Sequence, residues 1–201
     1  MRSKSFAKLL YGISLMLSII GHSSVAYAEP KISFKNKIYK VRGSSIKDIK
    51  NSIGNSRKNS TNNADNFDAS TKYSMTWKYY LKADAYGCKA QQADVSISIT
   101  HEMPHLVTAN MLSSEDRDNW YSYYKSLMNH ELGHAELGIA AANEIEWEIN
   151  NMLPQQNCDM VVAYIEKTAK NIIEKYDNQN IVYDSVTDHG VRQGAVLLAA
   201  R

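Results

Sequence analysis

The chain has 201 residues, 23 of them basic and 21 acidic, with 44% hydrophobic residues and two cysteines. That is enough for one compact domain with a sizeable core, and two full domains would be crowded. The net charge of +2 includes Arg2, Lys4 and Lys8 at the N-terminus; without them 20 basic residues face 21 acidic ones, a charge of −1, so nothing electrostatic argues for nucleic acid or an anionic membrane surface as partner.

Those three cations precede an apolar run from Leu9 to Ile20 and then small residues ending in Ala26-Tyr27-Ala28. The run is shorter than the ~20 residues that a bilayer span needs, and the pattern is that of a secretory signal peptide over residues 1–28, cleaved after Ala28. No cysteine follows the cleavage point to carry a lipid. Residues 29–201 are then expected to form a single soluble domain, periplasmic or secreted, without a stable membrane anchor. Cys88 and Cys158, the only cysteines, are expected to pair there.

Ile32 to Val41 alternates loosely and reads as one or two short strands, and Ser44 to Ile53 as a short capped helix with Ile46, Ile49 and Ile53 at helical spacing. Residues 54–70, rich in Asn, Ser and Asp, read as an exposed, mobile loop. Tyr73, Met75, Trp77, Tyr79 and Leu81 alternate with polar residues, as do Val95, Ile97 and Ile99 further on, which predicts an antiparallel pair. Ser113 or Ser114 caps a long helix with Glu115 and Asp116 in its first turn and an apolar stripe from Trp120 to Met152. A second helix starts after Asn157 and fades near Asp184, before a glycine-containing loop from Thr187 to Gly194. Strands first and helices afterwards predict an α+β domain: a small antiparallel sheet packed by a long helix and a second C-terminal one.

The long helix contains His130-Glu131-Leu132-Gly133-His134. Residues four apart lie about 40° apart on a helix, so both imidazoles reach one metal ion, and Glu131 stands beside it, where a carboxylate can take a proton from water. His134 falls within the apolar stripe and His130 at its edge, so the pair faces inward, which suits a zinc ion and makes the expected fold zincin-like. His101-Glu102-Met103-Pro104-His105 spells the same pattern but is not expected to bind zinc. Pro104 disfavours the helical turn, so His101 reads as the end of an inward strand face and His105 as a turn residue.

A catalytic zinc usually has three protein ligands and an open position. Glu144 shares a face with His130 but lies ten residues beyond His134, about 15 Å along the axis. The third ligand must therefore come from another segment. His189, in Thr187-Asp188-His189-Gly190, is preferred, with Asp188 or Asp184 as rivals.

The Trp77 strand with Cys88, the strand Ile97-Ser98-Ile99-Thr100, Asn129-His130-Glu131-Leu132-Gly133-His134, Cys158, and Tyr183-Asp184-Ser185-Val186-Thr187-Asp188-His189-Gly190 followed by Gln193-Gly194 resemble a bacterial family. Its members are catalogued as a domain of unknown function and described as predicted secreted zinc-dependent proteases. The resemblance covers most of the chain beyond the leader and implies zinc bound by His130 and His134, Glu131 as general base, and a site loop at Thr-Asp-His-Gly. The expected activity is metal-assisted hydrolysis of peptide bonds in proteins or in cell-wall peptides, with Tyr183 the nearest candidate to stabilise an oxyanion. The alternative is an exported binding protein with a structural zinc, separated from the enzyme by a closed coordination shell and indifference to loss of Glu131.

Overall fold

The computed structural model describes residues 29–58 and 67–198; the expected leader over residues 1–28 lies outside them. Three strands, β1 (Lys31–Val41), β2 (Ser70–Asp84) and β3 (Gly87–Leu106), form one sheet in the order β1-β3-β2. Helix α1 (Ile46–Lys58) follows β1, and two long helices, α2 (Ser114–Asn151) and α3 (Cys158–Thr187), pack on the sheet. The architecture is α+β. Among the described residues no helix is long and apolar enough to cross a membrane.

The sheet is mixed, which corrects the all-antiparallel expectation. β2 and β3 form the expected hairpin, with Thr71 opposite His101 and Trp77 opposite Val95, but β1 runs parallel to β3, with Ile32 beside Ile97. A parallel neighbour needs a long connection, supplied here by α1 and β2. Alternation marks a strand without naming its partner.

β3 is the central strand, and its inward residues Val95, Ile97 and Ile99 pack against Ala135, Ala142 and Ile145 of α2 and Val161, Ile165 and Ile172 of α3. Near Gln92, at φ 53, it takes an extra residue opposite β2, which brings Ala90 and Val95 to the same face. A second cluster joins Val41, Ile49, Met103, Trp120, Tyr123 and Leu127 under the other end of α2. β3 also passes through Pro104, so His105 is an exposed strand residue beside Lys40 and not a turn. The pairing of β2 begins at Ser70 opposite Glu102, and beyond it that edge of β3 has no β2 partner for the proline to disrupt.

The loop expected over 54–70 is overturned at both of its ends. Residues up to Lys58 continue α1, and β2 starts at Ser70. Asp68 accepts at its main-chain oxygen from the Tyr39 hydroxyl at 2.6 Å and at its carboxylate from that of Tyr123. Residues 59–66 lie outside the described residues.

α2 is one continuous helix, capped by Ser113, whose side chain accepts from the Asp116 amide. Asn157 caps α3 in the same way through the Met160 amide. Cys88 and Cys158 form the expected disulfide, joining the start of β3 to the first residue of α3. Contacts between α2 and α3 pair Glu144 with Lys175, His134 with Asn180 and His130 with Asp184, so the helices are antiparallel.

Candidate metal centre

His130 and His134 project from α2 toward the C-terminal part of α3, where Asp184 meets them. The three facing atoms, His130 Nε2, His134 Nε2 and Asp184 Oδ1, lie 3.0, 3.1 and 3.2 Å from one another. A tetrahedral zinc with bonds of 2.0–2.1 Å separates its ligand atoms by about 3.3 Å. The group can hold a metal ion.

The outer ring nitrogens explain why these atoms converge. His134 Nδ1 lies 2.7 Å from Asn180 Oδ1, and the amide nitrogen of Asn180 donates to the Tyr176 carbonyl at 2.9 Å, which fixes the amide's orientation because a carbonyl only accepts. His130 Nδ1 lies 2.9 Å from Gln193 Oε1, whose amide nitrogen donates to the Tyr183 hydroxyl. Both rings therefore place a proton on Nδ1, and in the neutral imidazole that leaves Nε2 as the lone-pair nitrogen facing the carboxylate. In that neutral form three lone-pair atoms face one another, an arrangement that a cation relieves. Burial pushes the His130 ring below the usual histidine range, which keeps it in the neutral form that a metal requires.

Two glycines permit this packing. A Cβ on Gly133 would stand 2.2 Å from the Tyr183 hydroxyl, so only glycine lets that ring lie against α2, stacked behind His130 with centroids 5.0 Å apart. Gly190, at φ 86, brings the chain back against the His130 ring, where a Cβ would meet Cγ at 3.1 Å.

Glu131 lies beside the cluster and is almost fully buried, at 3% exposure. Its Oε2 accepts from the Thr71 hydroxyl of β2 at 2.6 Å. Burial pushes its carboxyl above the usual range, against the Thr71 hydrogen bond, which favours the charged form. An open cleft of about 630 Å³ gives access, bounded by Phe67 to Tyr73 on one side and by His130, Glu131, His134, Asp184 and His189 on the other.

His189 stands at the mouth of this cleft, its ring stacked on Phe67 with centroids 4.2 Å apart and Nδ1 3.4 Å from the Asp184 oxygen that faces the histidine pair. It touches the cluster through Asp184 and is not one of the three convergent residues. Asp188 is the exposed left-handed cap of α3. Glu144 is held far from the site by Lys175 and Tyr176. The Tyr183 hydroxyl points at the His130 main-chain oxygen and at Gln193, and its ring lines a groove on the other side of α2, away from the cleft. Asn180 and Thr71 were not singled out by sequence, and Gln193 only within the family resemblance, without a role. Asn180, Asp184 and Thr187 follow helical spacing, so carrying the helical reading through to Thr187 places all three on the face of α3 that meets the histidines.

Fold and site define an α+β protein whose two long helices bring two histidines and an aspartate together around a position able to hold a metal ion. The chain belongs to the family described as bacterial protein of unknown function (DUF922), whose model matches residues 36–190. No curated protein and no solved structure matches the chain significantly.

Proposed function

We propose that the protein is an exported zinc-dependent hydrolase that cleaves peptide bonds, with the ion held by His130, His134 and Asp184. The observation that carries this reading is the convergence of His130 Nε2, His134 Nε2 and Asp184 Oδ1, each histidine anchored from behind by an amide oxygen, next to a buried carboxylate in an open cleft. Two imidazoles and one carboxylate are a donor set that zinc accepts, and the open side leaves room for substrate. When bound, zinc supplies Lewis acidity and lowers the pKa of water toward ~7.

Glu131 is assigned the proton. Its Oε2 is occupied by Thr71, so Oε1 takes the proton of the attacking water and passes it to the leaving amine. A raised carboxyl pKa suits a group that must accept and then release a proton near neutral pH. His189, partly exposed and aromatic-backed, is placed to contact substrate at the cleft mouth and to steady Asp184. The paired cysteines are consistent with an oxidising compartment.

The test is zinc analysis of the purified protein after dialysis, alongside cleavage assays on unfolded protein and on cell-wall peptides. One equivalent of zinc with zinc-dependent cleavage is expected. Zinc that is retained while both substrates stay intact, with Glu131→Gln indistinguishable from wild type, makes the site structural and overturns the enzyme.

A further inference from the structure

The cleft does not explain a buried histidine on the neighbouring sheet. His101 is 3% exposed, its Nε2 is enclosed without a hydrogen-bond partner among the described residues, and it belongs to the pentapeptide that does not form a helix here. Its Nδ1 lies 2.8 Å from the Thr71 hydroxyl oxygen, which is itself 2.6 Å from Glu131 Oε2. We infer that His101, acting through Thr71, positions the carboxylate of Glu131 for proton transfer, an inference that rests on the hydrolase reading for the purpose of that carboxylate.

Donor counting carries the argument. The Thr71 hydroxyl has one proton and two lone pairs, and it faces three neighbours: Glu131 Oε2 at 2.6 Å, the Glu131 main-chain oxygen at 3.1 Å and His101 Nδ1 at 2.8 Å. The carbonyl can only accept, and so can the ionised carboxylate. If His101 also presented a lone pair at Nδ1, three acceptors would compete for one proton, while an N–H at Nε2 would be buried with nothing to receive it. With the proton on Nδ1, His101 donates to Thr71, Thr71 donates to the closest acceptor, Oε2, and only a bare lone pair is left at Nε2. The chain His101 to Thr71 to Glu131 then has one direction.

The sheet builds this row. Thr71 and His101 are directly opposite on β2 and β3, so the strand ladder fixes both side chains on the face that meets α2. Phe34 of β1 stacks on the His101 ring with centroids 5.8 Å apart. Each strand thus contributes one residue to the support of a single helix carboxylate. Of the second H-E-x-x-H, it is His101 alone that serves the site, from the sheet and not from the metal.

The imidazole ¹⁵N spectrum of the purified protein, recorded zinc-free and zinc-loaded, reads the tautomer without any need for activity. A neutral His101 protonated at Nδ1 in both forms is expected. An Nε2–H ring overturns the inference, because Thr71 then gives its proton to His101 and not to Glu131. In kinetics, Thr71→Val is expected to lower kcat by up to about 100-fold, the cost of a misplaced group, with KM and zinc affinity unchanged. Thr71→Ser should restore the rate, and His101→Asn, which keeps an N–H near the Nδ1 position, should retain more activity than His101→Leu. Zinc affinity falling in step with kcat in Thr71→Val, or no rescue by serine, also overturns it. Wild-type protein that holds Nδ1–H at His101 yet cleaves nothing overturns the hydrolase reading instead.

Discussion

Asn180 holds His134 from behind: its side-chain oxygen lies 2.7 Å from His134 Nδ1, while its nitrogen donates both to the Tyr176 carbonyl and to the Tyr73 hydroxyl. Tyr73 in turn donates to Asp177 at 3.2 Å. Removing the amide with Asn180→Leu frees the ring to rotate and to change tautomer. Zinc affinity, measured by competition with a chromogenic chelator, should fall by about 10 to 100-fold.

The third ligand is decided by comparing two variants. Asp184→Ala removes the carboxylate that faces both histidines at 3.0 and 3.1 Å, and zinc retention should collapse. His189→Ala removes a ring that touches only the Asp184 side of the cluster, and should leave zinc bound while weakening cleavage. The reverse order of zinc affinities would put His189 in the coordination shell and Asp184 behind it.

Glu131→Gln should keep zinc and lose cleavage by about 10² to 10⁴-fold, the range for removal of a general acid or base. Its metal-free stability offers an independent check. Burial raises the folded-state pKa of Glu131, so across the window from its unfolded value up to that raised value the folded chain holds the extra proton, and stability falls as pH rises through it. Glutamine carries no such charge. Relative to wild type, the variant should gain stability as pH climbs through that window, read as a difference in denaturant midpoints. A constant difference across pH would place the ionised carboxylate in water and not in the interior.

Gly133→Ala tests the packing behind the ligands. The added methyl would stand 2.2 Å from the Tyr183 hydroxyl and 2.4 Å from its ring carbon, so Tyr183 must leave the His130 face. Overpacking of this kind costs about 1 to 3 kcal/mol, visible as a lower denaturant midpoint. Gly133→Ala combined with Tyr183→Ala should recover much of the loss.

The long helix was legible from its sequence because cap, charged first turn and apolar stripe agree from Ser113 to Met152. Helical spacing alone set His130, Glu131 and His134 side by side and put Glu144 out of reach. The order of burial was not legible: His130, read as lying at the edge of the stripe, is the more buried of the pair, because Gly190 closes over it from a distant segment. The end of α3 was also missed. Ile181, Val182 and Val186 are exposed there, so no apolar stripe marks the last turns, which are held by polar contacts to α2. With the helix read as fading near Asp184, that residue had no fixed face, and His189 was preferred to it as the third ligand. The parallel placement of β1 was hidden for a similar reason, since strand direction is set by the crossover and not by the strand's own residues.

The disulfide gives α3 a history as well as a position. Cys158 opens the helix and Asp184 stands about seven turns further on. One end is fastened by the disulfide, and under the proposed function the other would be fastened by a cation shared with α2. With the sulfurs joined, the unfolded chain has a smaller volume to search before Asp184 meets α2 than a free chain has. The bond to β3 thus shortens the path to a site whose carboxylate, under the proposed function, an ion would hold.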